Sequence, residues 1–502
     1  MRRPGQQPTR RAVLAGAAGG AAAAALARPA RAARAGAPVV AAASPLVDVH
    51  CHSFCSADLP ISGFVAHQIP GLTELSRFLT RWPEIIARAL LGAVATLPNA
   101  VAPTGQAELA SLRALVGRPG PPVAPIPPLP PGAIDDLLAS AAKYLPFALG
   151  EAQRRVAGRA LETLYLAAHP RAAIAATLAS TFPAVSLFTP SLVDYDAWSD
   201  DRPPTPLWQQ VLIQEQIARL AAAGRIGRAG ARVHPFAAYD PRRQAEAPGG
   251  VGETEATEPH ARSTAMDLVR YATQSAGFLG VKVYPPVGFA PLENATLQPG
   301  LSIAPALDRA LVMLYEFCEA REVPILTHAS ASNEYALGFR RFVTPARWAP
   351  VLQRFPALRL DLGHFGGELS AWTDQAVALI DSYPNVYADL SNSPLVYDDA
   401  YAARLRAVLP ELFARHPRLK RRLMYGSDWW LSALDPLADQ AIDRFEAVLS
   451  PLLTPDERTD VMGRNALRFL GFLDDQNRPR SGAAAGRLRA FYGAAPRPSW
   501  LP

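Results

Sequence analysis

Short runs of apolar and β-branched residues alternate along this chain with longer segments whose apolar residues recur at helical spacing. Each run ends at polar residues or at glycine and proline, as strands do where they leave a sheet. Strands that alternate with helices are typical of a parallel sheet with crossover helices. Eight runs are present, which is the number that a (β/α)8 TIM barrel, an α/β fold, requires. The predicted strands are Leu46 to His52, Ala184 to Thr189, Arg232 to Ala237, Gly280 to Tyr284, Pro324 to His328, Arg359 to His364, Val386 to Asp389 and Leu423 to Ser427.

The alternation is interrupted between the first and second predicted strands. Residues 70–180 form a predicted insertion that is largely helical in pattern, except that Arg118 to Gly132 contains eight prolines and predicts an extended connector. An insertion of this kind either covers the site at one end of the barrel or decorates the surface, and the sequence favours neither. Residues 475–502 are rich in Arg, Ala, Gly and Pro and predict a flexible tail. The predicted barrel therefore spans residues 44–473.

Residues 1–37 have the composition of a leader. They contain seven arginines and no acidic residue, and the pair Arg10-Arg11 precedes an alanine and glycine stretch that ends at small-residue cleavage positions. This order resembles a twin-arginine signal peptide, so we expect export to the periplasm or beyond the cell. A disordered tail or an uncleaved anchor does not require such an order.

Composition and charge narrow the classes of partner. The chain has 502 residues, of which 49% are hydrophobic and 19% charged, which indicates a globular protein. Its formal charge is +6, but without the seven leader arginines the remainder carries −1. Nucleic acid is therefore excluded as a partner, and no later stretch predicts a stable membrane span in the mature chain.

The strongest local signal is the run VDVHCH at residues 47–52. Alternate side chains of a strand share a face, so His50 and His52 should converge at the C-terminal end of the first predicted strand. Active sites of TIM barrels lie at that end. Two histidines on one strand also occur as packed or solvated side chains, so the pair alone does not establish a metal site.

Four later strands also carry a polar side chain at or near their C-terminal ends. Lys282 lies in GVKVY, His328 ends ILTH, His364 ends DLGH and Asp428 ends YGSD. A buried charge or imidazole is costly without a partner, and one shared metal would supply a partner for the whole group. His234, which precedes a proline, is more typical of a structural histidine.

This series of strand-end residues resembles the amidohydrolase superfamily, which has His-x-His on strand one, histidines on strands five and six and aspartate on strand eight. The runs YADLS at residues 387–391 and GRNALRFLG at residues 463–471 resemble the branch called amidohydrolase-related. That branch also contains decarboxylases similar to aminocarboxymuconate-semialdehyde decarboxylase. The resemblance covers residues 44–473 apart from the insertion.

The resemblance implies a role for each of these residues. The metal ligands would be His50, His52, His328 and Asp428. Asp428 would also accept a proton from the metal-bound water, while His364 would be either a second-metal ligand or an acid, base and oxyanion stabiliser. Zinc is the default metal for imidazole and carboxylate ligands, with manganese and iron as alternatives.

Lys282 has two interpretations within this family. In two-metal members the lysine of strand four carries a carboxylate that bridges the metals; in the other interpretation Lys282 contacts a substrate carboxylate or a nearby acid. We favour one metal over two, because many single-metal relatives have a Gly-x-Lys-x strand. Tyr284, at the start of a proline-rich loop, is a candidate substrate contact.

The sequence therefore predicts an exported metal-dependent hydrolase in which metal-activated water attacks an amide, ester or lactone-like carbonyl of a small molecule. The first alternative is a non-oxidative decarboxylase on the same scaffold, with Lys282 facing the leaving carboxylate. An exported binding protein that has lost catalysis is a third hypothesis, which the presence of every expected ligand disfavours.

Overall fold

The structure is a computed structural model of the chain. It describes residues 44–59, 102–142, 158, 161–199, 202–228, 230–247, 257–331, 334–367, 370–391, 399–429 and 437–502. The predicted signal peptide at residues 1–37 and a large part of the predicted insertion lie outside these ranges.

Every strand pairing in the described residues is parallel, and the strands are hydrogen-bonded in chain order. The strands are β1 Leu46–Cys51, β2 Val185–Pro190, β3 Arg232–Val233, β4 Phe236–Tyr239, β5 Gly280–Val283, β6 Ile325–His328, β7 Leu360–Gly363, β8 Val386–Asp389 and β9 Leu423–Met424. All eight predicted strands are present, and each strand begins and ends within three residues of its predicted bounds. β3 and β4 are the two halves of one predicted strand, which Pro235 interrupts because proline has no N–H to pair.

Two further contacts close the strands into a barrel. A parallel bridge between Ser191 and Phe236 joins the end of β2 to β4. The Val49 N–H donates to Tyr425 O at 3.2 Å, which joins β1 to the segment after β9. The eight strand positions therefore form a ring, and the prediction of a (β/α)8 barrel is confirmed.

Helices connect the strands, as the parallel order requires. They are α1 Gly105–Val116, α2 Ala133–Ala142, α3 Arg171–Thr181, α4 Asp196–Ser199, α5 Leu207–Ala222, α6 Pro241–Ala245, α7 Ala265–Gln274, α8 Asn294–Leu297, α9 Ala304–Arg321, α10 Arg340–Val343, α11 Ala349–Arg354, α12 Ala371–Ser382, α13 Asp399–Arg415, α14 Ala441–Leu449, α15 Pro455–Thr459, α16 Asn465–Phe469 and α17 Ala483–Tyr492. A 3-10 helix, Ser56–Asp58, follows β1. None of the helices in the described ranges is both long and apolar enough to cross a membrane.

The apolar residues form two clusters. The larger one packs the strands against the surrounding helices. The smaller one joins residues from the first halves of strands, such as Val47 and Leu326, to Phe469 of α16 and Leu488 of α17. It therefore lies at the N-terminal end of the barrel, opposite the strand ends that carry the polar residues.

The prediction of a flexible tail over residues 475–502 is wrong. These residues include α17, and Leu488, Tyr492, Trp500 and Leu501 are buried in the smaller apolar cluster. The alanine and arginine composition suggested a solvated segment. The apolar residues among them instead cover the N-terminal end of the barrel, a surface that only the folded ring presents.

His234 connects this C-terminal segment to the break between β3 and β4. Its Nδ1–H donates to Gly277 O at 2.8 Å, and its Nε2 accepts from the Tyr492 hydroxyl at 2.8 Å. Burial lowers the pKa of His234 to about 4, so the ring is neutral near pH 7. It is a structural histidine, as its place before a proline indicated.

Replacing Leu488 by alanine should lower the free energy of unfolding by about 2–5 kcal/mol, because it opens a cavity under α17. Leu115→Ala on α1 is the matched control, since Leu115 is an exposed leucine and its loss should change little. Urea denaturation of both variants measures the difference. If both substitutions lowered the free energy of unfolding equally and only slightly, the prediction of a flexible tail would stand.

The low pKa of His234 predicts a loss of stability in acid. The unfolded chain takes up a proton below about pH 6.5, whereas the folded ring does so only near pH 4. The contribution is therefore fully present above pH 6.5 and is lost as the pH falls toward 4, by up to roughly 3 kcal/mol. Free energies of unfolding at pH 7 and 4.5 should differ less in His234→Gln than in the parent chain. His260→Gln, at an exposed position, should keep the parental difference.

Candidate metal centre

The strand order brings the predicted site residues together at the C-terminal end of the barrel. His50 lies in β1 and His52 directly after it, while His328 ends β6. His364 follows β7, and Asp428 lies four residues beyond β9. The Asp428 N–H donates to His50 O at 2.8 Å, so the backbone itself joins the first and last strands at this point.

Three of the four predicted ligands form one compact group. The donor atoms of His50, His52 and Asp428 lie within 4.8 Å of one another, and all three side chains are buried. Asp428 Oδ1 is 3.2 Å from His52 Nε2 and 3.9 Å from His50 Nε2. His50 also forms a second group of this size with His364 and Asp389, and His328 belongs to neither.

The contact between His52 and Asp428 brings a buried ring nitrogen against a buried carboxylate oxygen. His52 Nδ1 is 2.9 Å from Ser191 O, and because a carbonyl oxygen can only accept, Nδ1 carries the proton. The other ring nitrogen, Nε2, faces Asp428 Oδ1, an atom without a hydrogen-bond donor among the described residues. An imidazole nitrogen and a carboxylate oxygen at 3.2 Å need a proton or a metal cation between them, because their lone pairs would otherwise repel. This donor set fits a divalent cation.

His50 is held at both ring nitrogens. Its Nδ1–H donates to Asp389 Oδ2 at 2.8 Å, and its Nε2 accepts from the Lys282 ammonium at 2.9 Å. A carboxylate behind a histidine fixes the tautomer and the ring orientation and makes the other nitrogen a better ligand. Lys282 is therefore placed at the metal-binding face of His50.

His328 and His364 contact each other. His328 Nε2 lies 3.1 Å from Ser330 O, and its Nδ1 lies 3.1 Å from His364 Nε2. The Ser391 hydroxyl is 3.0 Å from His364 Nδ1 and 2.9 Å from His50 Nδ1, so it links the two halves of the site. His328 thus reaches the group through His364.

Burial sets the charges of these side chains. Burial and the nearby Lys282 lower the pKa of His50 to about 4, and burial lowers that of His328 well below its usual value. Although burial by itself would raise the pKa of Asp428, the close contact with His52 and the neighbouring histidines His50 and His364 bring it to about 2. Neutral imidazoles beside an ionised carboxylate are the forms that bind a divalent metal.

The backbone is strained at two of the site residues. His364 has φ 68° and Asp428 has φ 52°, and Phe365 next to His364 has φ 47°. A residue other than glycine in this region costs roughly 1–3 kcal/mol, and such residues concentrate at functional sites. The fold tolerates this strain where it aims His364 and Asp428 into the site.

Tyr284, the candidate substrate contact, lies beside the site. Its ring is 5.1 Å from that of His328 and 5.2 Å from that of Tyr195, measured between centroids. The rings of Tyr195 and Tyr284 therefore form one wall beside His328.

Sequence reasoning missed several acidic side chains below the ligands. Asp389 orients His50, while Asp48 accepts the N–H of Ser427 at 3.0 Å and its hydroxyl at 2.6 Å. Asp361 is fully buried in β7, where burial and the charge of Asp389 raise its pKa well above the usual value. Asp389 ends an apolar strand like the residues that were assigned, so the same rule could have found it. Asp48 shares a strand face with His50 and His52, so the same alternation points to it, whereas Asp361 lies within its strand and has no comparable signal.

Comparison with known proteins gives one family and several solved structures. A family model described as Amidohydrolase matches residues 237–472, and no curated protein matches the chain. An uncharacterized TIM-barrel protein from Bordetella bronchiseptica is 16% identical with a TM-score of 0.38, over 85% of this chain and 98% of that one. 4-Oxalomesaconate hydratase from Rhodopseudomonas palustris is 14% identical with a TM-score of 0.38, over 85% of this chain and 95% of that one. A zinc-bound amidohydrolase from Burkholderia multivorans is 15% identical with a TM-score of 0.35, over 58% of this chain and 86% of that one.

Asp389→Asn should weaken metal binding roughly 10- to 100-fold, the usual effect of removing the carboxylate that orients a ligand histidine. The asparagine amide is uncharged, so its oxygen accepts the His50 Nδ1–H more weakly than the Asp389 carboxylate does. Competition with a chelator measures the change, and Asp399→Asn, at an exposed aspartate paired with Arg444, is the control. Unchanged affinity in Asp389→Asn would show that the contact does not support the ligand.

Proposed function

We propose that this chain, whose residues 237–472 match the amidohydrolase family model, is a metal-dependent hydrolase of that superfamily and cleaves an amide, ester or lactone-like bond. The observation that carries the proposal is the approach of His52 Nε2 and Asp428 Oδ1 to 3.2 Å inside a buried group that also contains His50. A cation between them removes the repulsion.

His50, His52 and Asp428 would hold the metal, with His328 as the further ligand that the family resemblance implies. Zinc suits two or three imidazoles and one carboxylate, and manganese or iron suits them too. The bound metal would supply a Lewis acid that activates water and polarises the substrate carbonyl. The other roles belong to side chains of the chain itself.

Asp428 is the base in this proposal. It is ionised at neutral pH, its Oδ1 points at the ligand histidines, and its backbone is held by His50 O. It accepts the proton of the attacking water at a carboxylate oxygen. His364 Nε2 lies 3.1 Å from His328 Nδ1, and in this proposal it would turn from that contact to stabilise the oxygen that becomes negative as the carbonyl is attacked.

Lys282 supports one metal over two. Its Nζ lies 2.9 Å from His50 Nε2, the nitrogen that would turn to the metal, and burial lowers the pKa of Lys282 to about 8. Because most of the amine is still protonated at pH 7, it acts as a buried cation. The same charge favours the second candidate, a non-oxidative decarboxylase, because it can pair with a substrate carboxylate beside the metal.

Metal content per chain tests the proposal. We expect about one metal in the parent chain, retention in Lys282→Met, and loss in His52→Ala with a fall in kcat/KM of more than about 100-fold, since even changes behind a ligand cost 10- to 100-fold. His416→Ala, a histidine that pairs with Asp381 outside the barrel mouth, is the control.

Product analysis separates the two reactions. Esters, lactones and amides are assayed for acid release, and conjugated carboxylic acids are assayed for carbon dioxide. Acid release that depends on His52 supports the hydrolase, whereas carbon dioxide release that depends on both His52 and Lys282 supports the decarboxylase. A parent chain that takes up none of zinc, manganese or iron would contradict both.

A further inference from the structure

A buried ion cluster lies next to the ligand-bearing end of β1. Arg171 of α3 is fully buried, and so are Asp58, Glu108 and Thr205 around it. Its Nε donates to Asp58 Oδ2 at 2.7 Å and its Nη2 to Asp58 Oδ1 at 2.5 Å, a two-pronged ion pair. Its Nη1 donates to Glu108 Oε2, and Nη2 also donates to Thr205 Oγ1 at 2.8 Å. The backbone N–H of Arg171 completes the cluster with a bond to Glu108 Oε1 at 2.7 Å.

The cluster joins four separate chain segments. Glu108 lies on α1 and Arg171 on α3, both within the predicted insertion, while Thr205 precedes α5 and Asp58 ends the 3-10 helix after β1. Burying a charged group without a partner is costly, so these segments are held in one arrangement in which each charge has its partner. Burial by itself would lower the pKa of Arg171, but the carboxylates, Asp58 first, raise it above its usual value, so the guanidinium stays charged.

Asp58 is six residues beyond His52, and the residues between them are tied to the same structure. Asp58 Oδ2 accepts the Cys55 N–H at 3.0 Å, and Ala57 O accepts the Thr205 N–H at 2.8 Å. The Gln210 amide donates to Asp58 O at 3.2 Å, and the Gln214 amide to the Ser53 hydroxyl at 3.1 Å. The segment that leaves the ligand His52 is therefore fixed by α5 and by the ion cluster.

We propose that Arg171 is a positioning residue for His52, and that the insertion contributes to the metal centre through it. The inference rests on the proposed metal site. Stability alone does not explain the cluster well, because packed apolar side chains of similar volume usually stabilise a core as much as a buried ion pair. What the guanidinium adds is direction, because its planar fork fits one orientation of the Asp58 carboxylate.

The test uses Co²⁺ as the probe on the full chain, because its visible spectrum reports ligand geometry and its affinity is read without substrate. Arg171→Met should weaken Co²⁺ binding roughly 10- to 100-fold, as changes behind a ligand do, and should alter the spectrum. Arg171→Lys should fall between Met and the parent, since a point charge pairs with Asp58 without the two-pronged geometry. Arg113→Met on α1, which removes an exposed ion pair with Glu258, should change neither.

A folded Arg171→Met chain with parental Co²⁺ affinity and spectrum overturns the inference. If that variant does not fold, Asp58→Asn replaces it: it keeps the shape of the side chain, the same loss of affinity is expected, and parental affinity again overturns the inference. A parent chain that binds no Co²⁺ contradicts the proposed function instead, and the positioning role falls with it. The two failures are therefore told apart by the parent chain alone.

Discussion

The approach of His52 Nε2 and Asp428 Oδ1, a buried ring nitrogen and a buried carboxylate oxygen 3.2 Å apart, is the constraint on which the rest of the site depends. Neither atom can move away easily, because the His52 ring is held through Ser191 O and the Asp428 backbone through His50 O. The left-handed φ of Asp428 is part of the same restriction. Positions that would repel each other are thus maintained by their surroundings, which is how a protein prepares a cation site before the cation arrives.

Those surroundings are built in layers beneath the ligands. Asp389 fixes His50, the Ser391 hydroxyl links His50 to His364, and His364 contacts His328. His50, His328 and His364 each contact neighbours through both ring nitrogens, which fixes the orientation of the rings. Burial keeps the rings of His50 and His328 neutral, and it does so because the strand ends lie inside a closed ring of strands.

The two ends of the barrel have different tasks. The N-terminal end is closed by α16, α17 and the last residues of the chain, which are apolar and contribute packing. At the C-terminal end, α1, α3 and α5 surround the segment after β1 with charged and amide side chains whose bonds have direction. Packing tolerates small displacements, whereas a two-pronged ion pair does not. This difference is the reason for assigning stability to one end and ligand geometry to the other.

The sequence by itself determined the eight strands and the residues at their ends, because apolar runs and strand termini depend on neighbours in the chain. His50, His52, His328, His364 and Asp428 were found in this way, and Asp389 was within reach of the same rule. Only the tertiary structure decided which of them meet: that Lys282 bonds to His50, that His328 contacts His364, and that Arg171 lies under the segment after His52. It also placed residues 475–502 against the barrel. These contacts join residues tens to hundreds of positions apart, and whether a side chain finds its partner there depends on the closure of the ring.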